Sequence, residues 1–269
     1  MGYNKFISYG NNLEVYEYEK NIYVLRGAVK RPEKPVDNPD LGADGANTVP
    51  ERKLGKRPDS ARRASMAFRR LVSSNLSRVE FPLLITITYA ENQTDIRQGY
   101  KDFTSFIQAL RYKFGKNFRY ISVPEFQKRG AVHFHALFWG LPFELFLSER
   151  KTRFLASLWG KGFVYMKETD GNEKLSFYLA KYMAKAFMDD RLKNQKAYVA
   201  SRNCLRPYIV GGIENISWLI DDYIGTDIVA EIKEKRFMTE WLGECRFRHF
   251  RLEIENNNFM LAENRKSIM

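Results

Sequence analysis

The spacing of apolar residues along the chain switches between two periods. Residues 13–18 alternate apolar with polar side chains, and residues 81–89 form a nearly continuous β-branched run; both patterns are typical of strands. Residues 100–114 instead repeat apolar side chains every three or four positions, which predicts one face of a helix. The sequence therefore predicts a protein that contains both strands and helices.

The same periodicity places the remaining elements. Helices are predicted at about residues 59–74, 94–114, 148–159, 173–188 and 216–223, and further strands at 22–25, 119–126, 130–138, 162–167, 228–241 and 245–254. Residues 31–58 hold five of the nine prolines and few large apolar side chains, so we expect a flexible linker or loop there. This segment follows short N-terminal strands within residues 1–30.

Two of the three histidines stand two residues apart in a predicted strand. His133 and His135 project from one face of it, because residues i and i+2 of a strand point to the same side. Their apolar neighbours Val132, Phe134 and Ala136 project from the other face. The pair is either one side of a metal site or two imidazoles without a ligand, and the residues before and after it favour the metal site.

The strand before the histidines adds a carboxylate. A three-residue loop that ends at Gly130 fits a hairpin whose last loop position requires a positive φ. That register places Glu125 opposite His133, on the face that carries both imidazoles. Two nitrogen ligands and one oxygen ligand suit a divalent ion that also binds a substrate oxygen. The alternative is a surface carboxylate beside basic Lys128 and Arg129, and a slip of one residue would turn Glu125 to the other face.

A predicted helix downstream carries two tyrosines and two lysines. Tyr178 and Tyr182 are four residues apart, as are Lys181 and Lys185, so two phenols share one face with ammonium groups beside them. A phenol has a reference pKa of ~10, and a nearby lysine favours the phenolate needed for attack near neutral pH. Such a set can break a DNA phosphodiester through a covalent phosphotyrosine. The alternative is an aromatic core face with solvated lysines.

The charge of the chain favours a polyanionic partner. It has 44 lysines and arginines against 32 acidic residues, a formal net charge of +12, which is typical of nucleic-acid-binding proteins. The helix predicted at residues 59–74 has one basic face, which either contacts phosphates or is solvated. Its members are Arg62, Arg63, Arg69 and Arg70.

Several common features are missing from the sequence. Cys204 and Cys245 lie far apart, so neither a disulfide framework nor a cysteine-based zinc site is predicted. We find no secretory signal and no apolar run long enough to span a bilayer, so a cytoplasmic protein without a membrane partner is expected. The P-loop spacing of ATPases and helicases is also missing. His249 lies in an alternating run remote from the other motifs, and we expect it to be structural.

Three motifs, in this order, resemble those of the His-hydrophobic-His (HUH) endonucleases, in particular the rolling-circle replication initiators (Rep proteins) of small bacteriophages and plasmids. Residues 83–89 are similar to the first motif, His133-Phe134-His135 to the metal-binding motif, and Tyr178-Leu179-Ala180-Lys181-Tyr182 to the nucleophile motif in its two-tyrosine form. Residues 123–131 are also similar to that phage and plasmid branch. The resemblance covers roughly residues 60–207.

The resemblance implies an α+β fold, with a central antiparallel sheet and flanking helices related to the ferredoxin-like RNA-recognition fold. The endonuclease domain would comprise residues 59–207, and residues 208–269 would form a β-containing C-terminal extension. An acidic residue near position 125 completes the metal shell in related initiators, which supports Glu125 beside His133 and His135. The implied cofactor is Mg²⁺ or Mn²⁺.

The implied activity is nicking and joining of single-stranded DNA at a replication origin. A DNA hairpin at the origin is one form that this substrate can take. Cleavage would form a 5′-phosphotyrosine and leave a free 3′ hydroxyl. We expect Thr86, Thr88, Lys128 and Arg129 to join the four arginines as DNA contacts. Because the chain carries no helicase motif, a helicase and a polymerase of a bacterial host are the expected partners.

Two other functions fit parts of the pattern. A non-catalytic module that binds single-stranded nucleic acid would use a similar sheet with aromatic stacking platforms, but binding alone needs neither the two histidines and Glu125 nor the paired tyrosines. A related tyrosine transposase or relaxase is the other. Relaxases usually place the nucleophile before the histidines, and single-tyrosine transposases lack the second phenol, so the sequence favours the initiator.

Overall fold

The computed structural model describes residues 3–20, 57–76, 81–142, 149–169, 186–213, 216–224, 228–240 and 242–253. The contacts divide the chain into two compact units, Gly55–Pro207 on the one hand and Met1–Leu54 with Tyr208–Met269 on the other. The strand predicted at residues 22–25 and the linker lie outside the described residues, except for residues 57–58, which begin the first helix. Most of the helix predicted at residues 173–188 also lies outside them.

The described residues contain ten strands and four α-helices. In chain order the strands are β1 (Tyr3–Tyr9), β2 (Asn12–Tyr18), β3 (Leu83–Tyr89), β4 (Arg119–Phe126), β5 (Val132–Trp139), β6 (Gly162–Glu168), β7 (Val199–Ala200), β8 (Tyr208–Ile213), β9 (Ile228–Thr239) and β10 (Gly243–Glu253). The helices are α1 (Arg57–Asn75), α2 (Ile96–Phe114), α3 (Glu149–Trp159) and α4 (Ser217–Ile224), with a 3₁₀ turn at Asp190–Leu192.

Each unit is built on one five-stranded antiparallel sheet. The strand order is β6-β3-β5-β4-β7 in the unit Gly55–Pro207 and β8-β1-β2-β10-β9 in the other. The predicted α+β class, a central antiparallel sheet with flanking helices, is therefore confirmed. None of the described helices combines the length and apolar character that crossing a bilayer requires.

Helices α2 and α3 pack on one face of the sheet in the unit Gly55–Pro207. Asp95 caps the N-terminus of α2 by accepting a hydrogen bond from the backbone N–H of Arg97 at 2.8 Å. The buried stripe of α2 predicted from its spacing contacts alternate residues of β3, β5 and β6 in one apolar cluster. Phe134 is fully buried there, and its ring stacks on Phe103 with centroids 4.9 Å apart.

Helix α1 covers part of the opposite face. Its buried residues Phe68, Leu71 and Val72 form a second cluster with side chains of β4 and β5 that include Val123 and Leu137. On that face, β3 is only partly covered, so its burial alternates along the strand. The nearly continuous apolar run 81–89 is a strand as predicted, and its partly buried positions include Thr86 and Thr88.

The second unit joins the two ends of the chain in one sheet. Strand β2 pairs with β1 on one side and with β10 on the other, and β1 also pairs with β8. Its core consists of residues from β1, β2, β10 and α4. His249 of β10 places Nε2 2.9 Å from Asn12 Oδ1, which agrees with the structural role expected for this histidine.

Replacing Phe134 should test how far the sheet core supports the histidine strand. The Phe134→Ala variant should lose about 3–5 kcal/mol of unfolding free energy, because the change removes a fully buried ring and leaves a cavity. Urea denaturation measures this loss. Tyr112→Ala is the matched control: this ring on α2 is 87% exposed, and its removal should change stability by no more than about 0.5 kcal/mol. Equal losses in both variants would contradict the packing described.

Candidate metal centre

The β4–β5 hairpin positions the centre. The backbone N–H of Gln127 donates to the carbonyl of Ala131, and that of Gly130 donates to the carbonyl of Gln127, both at 2.8 Å. Gly130 adopts φ +90°, which favours glycine because other residues rarely adopt this conformation. The resulting register pairs Glu125 with His133. The predicted register and the predicted positive φ at Gly130 are both confirmed.

Three side chains converge on the face away from α2 and α3. Glu125 Oε2 lies 3.2 Å from His133 Nε2 and 3.0 Å from His135 Nε2. One ligand atom from each residue lies within 4.8 Å of the others, so the group can hold a metal ion. The two imidazoles are only 13% and 14% exposed, whereas the carboxylate is 30% exposed. The group is thus most open to solvent at the carboxylate.

The charge state of the carboxylate suits a cation. The hydrogen bonds of His133 and then of His135 lower the pKa of Glu125 to about 2, although partial burial acts in the opposite direction. Glu125 is therefore ionised across the physiological range. One anionic oxygen and two imidazole nitrogens form a mixed ligand set, and such sets bind divalent cations while leaving other coordination positions for water or substrate.

A fourth residue, Thr86, supports the histidines from β3. Its Oγ1 lies 3.1 Å from Nδ1 of His135, the ring nitrogen that does not face Glu125. Thr86 pairs directly with His135, and Thr88 with His133, so both threonines lie beside the centre on the same face. A hydrogen bond at Nδ1 fixes the orientation of an imidazole that binds metal through Nε2. Thr86 is predicted from the sequence to contact DNA, and its contact with His135 adds a second role to that hypothesis.

The structure brings only part of the predicted site together. Glu125, His133 and His135 form one cluster, whereas the predicted nucleophile segment lies outside the described residues. That segment holds Tyr178, Lys181, Tyr182 and Lys185. On α1, Arg62 and Arg63 are exposed and Arg69 and Arg70 are partly buried. Lys128 is exposed in the hairpin loop. DNA binding by these residues stays a prediction.

Arg129 has a structural contact that its sequence position did not reveal. Its guanidinium donates to the carbonyls of Tyr89 and Ala90, at 2.5 and 3.2 Å, and to Gln127 Oε1 at 3.0 Å. The side chain thus ties the β4–β5 loop to the end of β3. A DNA contact by Arg129 stays a prediction, and it would have to coexist with these three hydrogen bonds.

Two aromatic residues on the same face were not singled out from the sequence. Phe163 and Tyr165 on β6 are 72% and 65% exposed. Phe163, Tyr165 and Lys167 occupy alternate positions of the predicted strand 162–167, and this shared face was the signal available in the sequence. The pairing of β6 with β3 could not be predicted from the sequence.

Comparison with known protein families adds one finding. Residues 82–187, less than half of the chain, match the family model of the replication-associated protein ORF2/G2P. The matched stretch contains β3 to β6, the complete Glu125, His133 and His135 group, and the predicted nucleophile segment. It supports a replication-associated role for the protein. The chain has no match among curated proteins, and none among solved structures.

Metal binding should depend on pH through the histidines. Affinity for Mn²⁺, measured by isothermal titration calorimetry, should fall as the pH is lowered from about 8 to about 5, because protons compete with the metal for imidazole nitrogens. Glu125 stays ionised in that range, since its pKa is about 2. A Glu125→Gln variant should therefore bind more weakly across this range, and its affinity should still fall as the pH is lowered. Affinity that does not change with pH would exclude the histidines as ligands.

The contact between Thr86 and His135 should be measurable in metal affinity. Thr86→Val keeps the shape of the side chain but removes the hydroxyl, and loss of such a supporting hydrogen bond typically weakens metal binding about 10- to 100-fold. Thr88→Val is the matched control on the same strand, and it should bind Mn²⁺ as the unaltered protein does. Equal affinities in the two variants would show that the hydroxyl of Thr86 does not orient the imidazole.

Proposed function

We propose that this protein initiates rolling-circle replication by nicking and rejoining single-stranded DNA at an origin, through a covalent 5′-phosphotyrosine. The observation that carries the proposal is the Glu125, His133 and His135 group, which lies within the stretch that matches a replication-associated family. A module that only binds nucleic acid has no need for a carboxylate held between two imidazoles. The basic charge of the chain suits a DNA substrate.

The cofactor in this proposal is Mg²⁺ or Mn²⁺, held by Glu125, His133 and His135. When bound, such an ion withdraws charge from the scissile phosphate and orients it for in-line displacement. The three side chains are already within reach of one another, so they need little rearrangement to bind it. The exposed side of Glu125 is where a phosphate oxygen would approach.

The nucleophile in this proposal is one of the two tyrosines, Tyr178 or Tyr182. The phenol loses its proton, its oxygen forms a bond to phosphorus, and the bond from phosphorus to the 3′ oxygen breaks. The leaving oxygen takes up a proton and becomes the free 3′ hydroxyl. Lys181 and Lys185 would favour the phenolate and offset charge in the transition state. We propose Tyr178 for the first attack and Tyr182 for a second cleavage while the first link persists.

The biological setting follows from the same chemistry. A free 3′ hydroxyl is a primer end, so the product of nicking suits a DNA polymerase. Strand separation would need a helicase, since the sequence contains no P-loop. We propose that both enzymes come from a bacterial host, in whose cytoplasm the protein acts.

The covalent intermediate can be tested directly. The protein is incubated with Mn²⁺ and labelled single-stranded oligonucleotides tiled across the replicon that encodes it. At least one oligonucleotide should give an adduct that survives SDS electrophoresis, and the Tyr178→Phe, Tyr182→Phe double variant should give none. Tyr112→Phe, which removes an exposed phenol on α2, is the matched control and should retain the adduct. The two single variants then show which tyrosine attacks first.

Two further arms separate the proposal from its alternatives. Glu125→Gln should abolish the adduct and leave binding of single-stranded DNA intact, because the carboxylate serves the metal. An adduct that persists in the double tyrosine variant would overturn the assignment. Binding of single-stranded DNA without any adduct, across the complete set of oligonucleotides, would favour the non-catalytic module instead.

A further inference from the structure

One strand of the sheet presents an aromatic pair to solvent. Phe163 and Tyr165 on β6 are 72% and 65% exposed, whereas Val164 between them is 5% exposed and belongs to the core. Lys167 follows at the next alternate position and is exposed as well. Because side chains of a strand alternate between faces, these three side chains project together, opposite Val164.

The strand register sets this pair in line with the metal centre. Thr88 pairs with Phe163 on one side and with His133 on the other, and Thr86 pairs in the same way with Tyr165 and His135. Directly paired residues of an antiparallel sheet point to the same face. Two rows therefore cross the sheet from an aromatic ring through a threonine to a histidine, and each row spans two strand spacings, or about 10 Å.

We infer that Phe163 and Tyr165 form a stacking platform for the bases of single-stranded DNA next to the bond that is cut, an inference that rests on the proposed function. Aromatic faces stack on any base, and this contact is the main sequence-tolerant interaction in single-strand recognition. The platform lies beside the centre on the same face, where nucleotides next to a phosphate at Glu125 would pass. The small threonines of β3, between the rings and the histidines, leave room for the DNA strand.

The surroundings favour nucleic acid over a protein partner. An apolar docking surface is a contiguous patch of aliphatic and aromatic side chains, but here the described neighbours on the same face include Thr86, Thr88 and Lys167, and the one aliphatic neighbour, Leu84, is partly buried. A pair of rings with a lysine beside them matches what a single strand presents, which is flat bases along an anionic backbone. The formal charge of +12 on the chain also favours a nucleic-acid partner.

The test measures DNA binding in the absence of metal, so that DNA cleavage does not contribute to the signal. Fluorescence anisotropy is recorded in EDTA with a labelled oligothymidylate of about twenty nucleotides. This oligonucleotide is longer than the binding site of a typical single-strand-binding fold. The Phe163→Ala, Tyr165→Ala double variant should bind at least about tenfold more weakly. Phe163→Tyr and Tyr165→Phe keep the rings and should bind normally. Tyr112→Ala, which removes an exposed ring on α2, is the matched control and should also bind normally.

A second readout separates stacking from charge and from misfolding. Loss of the rings should leave the slope of log affinity against log salt concentration unchanged. Lys167→Ala should reduce that slope by the amount expected for the loss of about one phosphate contact. The Phe163→Leu, Tyr165→Leu variant keeps apolar bulk without rings and should bind as weakly as the alanine variant. Mn²⁺ affinity should be unchanged in both double variants, which shows that the sheet is intact.

An oligonucleotide with the same backbone but abasic sites completes the test. The unaltered protein should bind it more weakly than oligothymidylate, and the double alanine variant should bind both alike, because ring and base act as a pair. Unchanged oligothymidylate affinity in the double alanine variant would overturn the platform and leave the proposed nicking untouched. Failure of adduct formation with these binding results intact would overturn the nicking and leave the platform in place.

Discussion

The turn at residues 127–131 fixes which residues of β4 lie opposite those of β5, and both the core and the candidate metal centre depend on that register. With Glu125 opposite His133, the three ligand side chains share one face and Val132 and Phe134 enter the core on the other. A slip of one residue would reverse both outcomes at once. Burial of Phe134 against Phe103 therefore stabilises the same register that brings Glu125 to the imidazoles.

The described helices cover the two faces of this sheet differently, and the candidate site lies on the face that they cover less. Helices α2 and α3 pack on one face, while α1 covers the part of the other face formed by residues such as Val123 and Leu137. Toward the opposite ends of these strands, the same face carries Glu125, the two histidines, two threonines and two exposed rings. One sheet thus combines a packed core with a polar surface, and the alternation of side chains along each strand makes that separation possible.

The sequence predicted what is local along the chain. The hairpin around Gly130 and the apolar stripe of α2 are set by neighbours within a few residues, and both were predicted correctly. The pairing of β3 with β5 and β6 was not predictable, because it joins residues tens of positions apart through burial in a shared core. For that reason only the structure shows the contact of Thr86 with His135 and the cross-strand row from Phe163 to His133. The meeting of β1 and β2 with β8 and β10 in one sheet is non-local in the same way.

The hydroxyl of Thr86 can pair with either neutral tautomer of His135. When Nε2 of His135 donates to Glu125, Nδ1 of the neutral ring is an acceptor and needs a donor. With a metal on Nε2, the proton of that ring resides on Nδ1, which then needs an acceptor. A hydroxyl can rotate to serve either tautomer, whereas a backbone N–H or a carbonyl can serve only one. A cation that replaced the proton on Nε2 would thus leave the imidazole in its place in the sheet.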